Sequence, residues 1–151
     1  MKAIDKLTHV GITVSDIERS IEFYERNFGF KVVGRTVFDE AFFTAATPLY
    51  DFTDTTCPLA IMAAPCGVQI ELFQFIPQLE KERVPWNRVG ITHIALATDN
   101  VLEMCKQLRA NKVEFCMEPL QRGDGGYWVF LRDPDGNMIE LMEPFTIDRE
   151  G

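Results

Sequence analysis

The chain has 151 residues and a mass of 17.3 kDa, a size that fits one ordinary domain with room for a real core. A composition of 46% hydrophobic and 25% charged residues excludes extensive disorder, and a net charge of −8 with no gathered Lys and Arg argues against nucleic acid or an anionic membrane as partner. The apolar runs at 60–64 and 91–97 are strand-sized, far below the ~18 residues of a bilayer span. Charged Lys2, Asp5 and Lys6 stand where a secretory signal needs an apolar stretch, and Cys57, Cys66, Cys105 and Cys116 show no C-x-x-C spacing, so the expected location is the cytoplasm with the thiols reduced.

In chain order, periodicity predicts a strand over 4–14 and a helix over 16–28 closed by Gly29. Strands over 30–38, 41–46 (broken), 59–64 and 68–76 follow. Ser15 or Asp16 is the expected N-cap, and Ile17, Ile21, Tyr24 and Phe28 form the apolar stripe of the helix. Residues 46–58 crowd Thr, Pro, Asp and Cys without period, which predicts a long loop over whatever site the fold builds. The segment 77–90, with two prolines and alternating charges, reads as a connection. Beyond it come a strand over 91–98, a helix over 100–110 with Asp99 as the expected N-cap, and strands over 112–117, 127–132 and 137–143. Val101, Met104, Cys105 and Leu108 form the second apolar stripe, and Asp133-Pro134-Asp135-Gly136 is a hairpin turn.

The two halves echo each other. Thr8-His9 and Thr92-His93 each open an alternating apolar strand, and Ile70-Glu71-Leu72 and Ile139-Glu140-Leu141 each follow a turn glycine by three residues. The His pair is offset by 84 residues and the Glu pair by 69, so the first copy carries 15 more, placed at 46–58. Domain organisation is therefore one domain, 1–151, built from a module at 4–76, the connection and a module at 91–144.

Strand periodicity puts Val10, Ile12 and Val14 toward the helix and His9, Gly11 and Thr13 on the other face. In the last strand of the first module Ile70, Leu72 and Ile76 go helix-side, with Gln69, Glu71, Phe73 and Phe75 opposite; in the second module His93, Ala95 and Ala97 oppose Ile94 and Leu96, and Met138, Glu140 and Met142 oppose Ile139 and Leu141. A carboxylate in mid-strand among buried neighbours costs several kcal/mol unless paired or coordinated. A stabilising His–Glu pair would explain one such exception. Two at matching positions, beside small Gly11, Ala95 and Ala97, point instead to a divalent metal held by His9, Glu71, His93 and Glu140, an N2O2 set with two positions left for water or substrate.

This paired arrangement resembles the vicinal oxygen chelate superfamily, which includes glyoxalase I, methylmalonyl-CoA epimerase, extradiol dioxygenases and antibiotic-resistance proteins. The likeness covers about 4–144, and the run Arg132 to Leu141 and the segments Ser20-Ile21-Glu22-Phe23-Tyr24 and Phe28-Gly29-Phe30 carry it. It implies an α+β fold of two tandem βαβββ modules, forming a curved mixed sheet around a metal-centred cleft. A fourth protein ligand at Glu71 looks like the glyoxalase I arrangement, which implies a bound Ni, Zn, Co, Mn or Fe ion that polarises a substrate carbonyl or enediolate. Glu140 or Glu71 would then move a proton between adjacent carbons, a lyase or isomerase reaction on a small oxo-substrate. Phe73, Phe75, Met138, Met142 and Tyr127 would line the substrate cleft, without an evident glutathione clamp or a basic cluster for coenzyme A. A homodimer is expected, with the four ligands drawn from one chain or from two. Two other readings stand beside this one: an extradiol-type dioxygenase, and a non-catalytic, drug-sequestering protein whose aromatic residues stack a planar ligand.

Overall fold

Alternation of apolar and polar residues builds two mixed sheets, each with its own helix. The computed structural model describes residues 3–4, 6–80, 86–87 and 89–145. It divides into a first unit, Met1–Glu82, and a second, Arg83–Gly151. Lys81, Glu82, Arg83, Val84, Pro85 and Arg88, within the expected connection, lie outside the described residues.

The first unit contains β1 (His9–Thr13), α1 (Ile17–Phe28), β2 (Lys31–Phe38), α2 (Glu40–Ala45), α3 (Thr47–Tyr50), β3 (Cys57–Ala63) and β4 (Gln69–Phe73). Its strands run in the order β1-β4-β3-β2, with β1 parallel to β4 and the other pairs antiparallel. Helix α1 starts at Asp16, whose carboxylate accepts from the Arg19 N–H at 3.0 Å, and stops at Gly29, which takes the left-handed φ of 71° that a side chain would resist. Its buried stripe of Ile17, Ile21 and Tyr24 lies on β3 and β4, on the face that carries Ala60, Met62, Ile70 and Leu72. Burying each such side chain contributes roughly 1.5–3 kcal/mol.

Two expectations change here. The first strand is shorter than 4–14, and the broken strand expected over 41–46 is helix α2. Asp39 caps it by accepting from the Phe42 N–H at 2.9 Å, and the helical turn drives Phe43 into full burial. Phe43 then meets half-buried Tyr50 and exposed Phe52, with ring centroids 5.1 and 5.4 Å away, so the 46–58 segment is partly helical and lays its aromatics against Phe43.

The second unit contains β5 (Ile94–Ala97), α4 (Val101–Ala110), β6 (Glu114–Phe115), β7 (Leu120–Gln121), β8 (Tyr127–Arg132) and β9 (Met138–Met142). The order is β5-β9-β8-β6, β7 also pairs with β8, and β5 is parallel to β9. The N-cap of α4 is Asn100, not Asp99: its side-chain oxygen accepts from the Glu103 N–H at 2.9 Å, at the same 84-residue offset from Asp16. The predicted 112–117 strand is reduced to Glu114–Phe115. Asp133, 4% exposed, shapes the β8–β9 turn by accepting from the N–H groups of Asp135 at 2.9 Å and Asn137 at 2.7 Å. Among the described residues no helix is long and apolar enough to cross a membrane.

Candidate functional site

In the first unit, register sets Glu71 between Gly11 of β1 and Ile61 of β3. His9, at the head of β1, brings its Nε2 to 3.4 Å from Glu71 Oε2. The other ring nitrogen, Nδ1, lies 3.3 Å from the Thr8 hydroxyl. Phe73 shares this face, and its ring covers Gly11 so closely that a Cβ there would sit 3.2 Å from a ring carbon. The small residue thus admits the aromatic wall beside the carboxylate. Phe73 in turn stacks on Phe75, with centroids 6.1 Å apart and planes 9° from parallel.

The second unit repeats the arrangement. Glu140 lies between Ala95 of β5 and Phe130 of β8, and His93 Nε2 stands 3.2 Å from Glu140 Oε2. The Thr92 hydroxyl is 2.8 Å from His93 Nδ1. The repeated Thr-His dipeptide therefore orients each imidazole, occupying one nitrogen and aiming the other at the carboxylate. Phe130 and Trp86 meet the His93 ring, with centroids 5.1 and 5.7 Å away.

Other expected site residues divide by register. Met138 and Met142 share the Glu140 face, half-buried. Tyr127 does not: Trp128 pairs with Met142 and Phe130 with Glu140, so Tyr127 falls on the face of buried Val129 and Leu131. Trp128 and Phe130 take the place expected for Tyr127 on the Glu140 face, because adjacent strand residues point to opposite sides. Ile76 is also misplaced by simple alternation. β4 ends at Phe73, Ile76 is 48% exposed, and Gln74 turns to the helix instead.

Gln74 and Glu143 escaped the sequence reading. Gln74 Oε1 accepts from the Ile17 N–H at 2.9 Å, and Glu143 Oε1 accepts from the Val101 N–H at 3.0 Å. Each lies three residues beyond the candidate glutamate and satisfies the first turn of its unit's helix. Their 69-residue offset was the available signal.

The family model described as Glyoxalase/Bleomycin resistance protein/Dioxygenase superfamily matches residues 6–141. The chain belongs to this superfamily. It is 30% identical over 143 residues to a lactoylglutathione lyase of Escherichia coli O157:H7, covering 91% of this chain and 92% of that one. Identity to the lactoylglutathione lyase of Schizosaccharomyces pombe is 28% over 142 residues, 91% of this chain but 47% of that protein, so the chain spans about half the length of the yeast relative. Among solved structures, a glyoxalase family protein from Bacillus cereus superposes with a TM-score of 0.79 at 22% identity, over 94% of this chain and 95% of that one. A fosfomycin resistance protein from Listeria monocytogenes gives 0.66 at 18% identity, over 95% and 97%. These likenesses establish the α+β glyoxalase fold of the superfamily member.

The donor chemistry of each pair fits a divalent ion. At 3.4 and 3.2 Å the His–Glu separations exceed the ~2.7–2.9 Å of a charge-assisted hydrogen bond. They approach the ~3 Å between two ligands set at right angles about 2.1 Å from one ion. Side-chain exposures of 19% for Glu71 and 20% for Glu140 leave both carboxylates short of water on a largely apolar face. Among the described residues, no group of three or more His, Cys, Asp or Glu gathers as a metal site. Each unit holds one His–Glu pair.

Proposed function

We propose that this chain is a divalent-metal-dependent lyase or isomerase of glyoxalase type, with His9, Glu71, His93 and Glu140 as the ligands of one Ni, Zn, Co, Mn or Fe ion. The observation that carries the reading is the repetition of one device in both units: imidazole Nε2 facing a mid-strand carboxylate, with a threonine hydroxyl at Nδ1. Relatives named lactoylglutathione lyase support a proton-transfer reaction. When bound, the ion supplies Lewis-acid polarisation of a substrate oxygen.

The remaining work belongs to the protein. Glu140 removes the proton from the carbon next to the substrate carbonyl and returns it one atom along, with Glu71 as the symmetry-related candidate for the same role. Thr8 and Thr92 keep the imidazoles in the ligating orientation. Phe73, Met138 and Met142 lower the polarity around the reacting atoms, which strengthens the electrostatic interactions there. The same reading makes the protein a cytoplasmic homodimer acting on a small oxo-compound. Elemental analysis of purified protein, with deuterium exchange at the substrate carbon followed by NMR, tests it. About one ion per four-ligand set and exchange that stops on chelation are expected; exchange that continues in the chelated protein overturns the metal dependence.

A second reading, a non-catalytic small-molecule-binding protein, draws support from the aromatic cluster of Phe43, Tyr50, Phe52 and Phe75. Tight ligand binding with no exchange would favour it.

A further inference from the structure

Tyr50, Phe52 and Thr55 of the 46–58 segment help to line a cavity in the first unit. It measures about 390 Å³, within the ~300–1,000 Å³ of ligand pockets, and Thr13, Tyr50, Phe52, Thr55, Phe75 and Gln78 are among the residues lining it. Tyr50 and Phe52 come from the inserted segment and Phe75 from the chain just past β4. Their rings meet one another at 5.7–6.3 Å, with Phe52 and Phe75 edge-on at 84°, so the walls present aromatic faces and edges. None of the described lining residues is charged.

Polar groups are few and specific. Thr55, 7% exposed, and Thr13 bring hydroxyl-bearing side chains to the lining. The Gln78 side chain is held by donation from Nε2 to the Val14 carbonyl at 2.9 Å, which leaves its Oε1 as an acceptor. These groups can pair with the hydroxyl or carbonyl of a ligand, and a bound ion would meet no counter-charge among the described lining residues.

We propose that this cavity binds a neutral aromatic ring bearing a hydroxyl or carbonyl group, as the tail of a substrate whose oxo end reaches the His9–Glu71 pair. Thr13 and His9 share β1 four residues apart, about 13 Å along the strand. The Phe73 ring, which lies over Gly11, borders the way between them, and Phe75 stacks on it at the cavity. A two- or three-carbon oxoaldehyde spans neither the distance nor the cavity, so the preferred substrate is an aryl-bearing oxo-compound. The substrate part of this inference rests on the catalytic reading above; the cavity part does not.

The test is titration of metal-free protein with 2-naphthol, followed by calorimetry and by NMR of the aromatic resonances. Saturable one-to-one binding is expected, at least tenfold tighter than for decahydro-2-naphthol, whose two rings are saturated and have no aromatic faces, and for 2-naphthoate, which is charged. Thr13→Asp, a change at an exposed strand position that leaves the fold intact, should weaken 2-naphthol at least tenfold, as should Phe75→Leu. His9→Ala should leave it unchanged. Absence of saturable binding, equal affinity for decahydro-2-naphthol, or full affinity in folded Thr13→Asp overturns the proposal. Because no metal is present, failure of metal uptake by the parent protein counts against the catalytic reading and leaves this one standing.

Discussion

Glu143 receives two backbone N–H groups where its counterpart Gln74 receives one. Glu143 Oε1 takes the Val101 N–H at 3.0 Å and Oε2 takes the Tyr127 N–H at 2.8 Å, whereas Gln74 Oε1 takes only the Ile17 N–H at 2.9 Å. An amide has one acceptor oxygen and a carboxylate two, which accounts for the different residue types at repeated positions. Both side chains tie the strand of a candidate glutamate to the start of a helix.

Glu143→Gln should therefore destabilise the protein by about 1–3 kcal/mol, since it turns an NH2 group toward one of two N–H donors. Gln74→Glu, which places a negative charge at a helix N-terminus and keeps the acceptor, should change stability by no more than about 0.5 kcal/mol. Denaturant unfolding of the two variants measures the asymmetry; equal losses would contradict it.

His93→Ala should lower divalent-ion affinity by several orders of magnitude and His9→Ala by a comparable factor, each removing one ligand of the proposed set. Metal bound only to the folded state adds to stability, so the metal-loaded parent should melt well above both variants while the chelated proteins melt close together. Unchanged metal content in both would end the ligand assignment.

Glu140→Gln and Glu71→Gln keep an oxygen and the shape of the side chain while removing its basicity. One of them should lower turnover by about two to four orders of magnitude with a moderate loss of metal, and Glu140, on the short hairpin set by Asp133, is expected to show the larger effect. Solvent exchange at the substrate carbon in deuterium oxide reads this. Normal exchange in both metal-loaded variants would exclude a glutamate base.

Thiol chemistry offers a pH-dependent check on the core. Burial pushes the fully enclosed Cys57 thiol from 9.0 up to about 11, and Cys105 is raised by the same cause. Each therefore favours the folded state while protonated. Their contribution is complete below the ordinary thiol value of 9.0 and is lost as pH rises toward about 11, so unfolding should become easier across that window. At neutral pH a thiol reagent should label exposed Cys66 and Cys116 quickly and reach Cys57 and Cys105 only on unfolding. Four equally fast thiols would refute the buried placement.

The sequence by itself determined the apolar stripes of the two helices and the face shared by His9 with Glu71 and by His93 with Glu140. Those features follow from strict local periods of 2 and 3.6, which repeat at fixed offsets and need no knowledge of distant partners. Tertiary structure decided the rest. Whether Phe42-Phe43 belongs to a strand or a helix depends on a cavity for Phe43 that Tyr50 and Phe52 supply. Tyr127 loses its expected place to Trp128 and Phe130 because strand register is set by pairing with β9, and a shift of one residue reverses every side chain. Gln74 and Glu143 cap helices 57 and 42 residues away in the chain, a relationship that no local pattern encodes because it exists only once the strands are stacked against those helices.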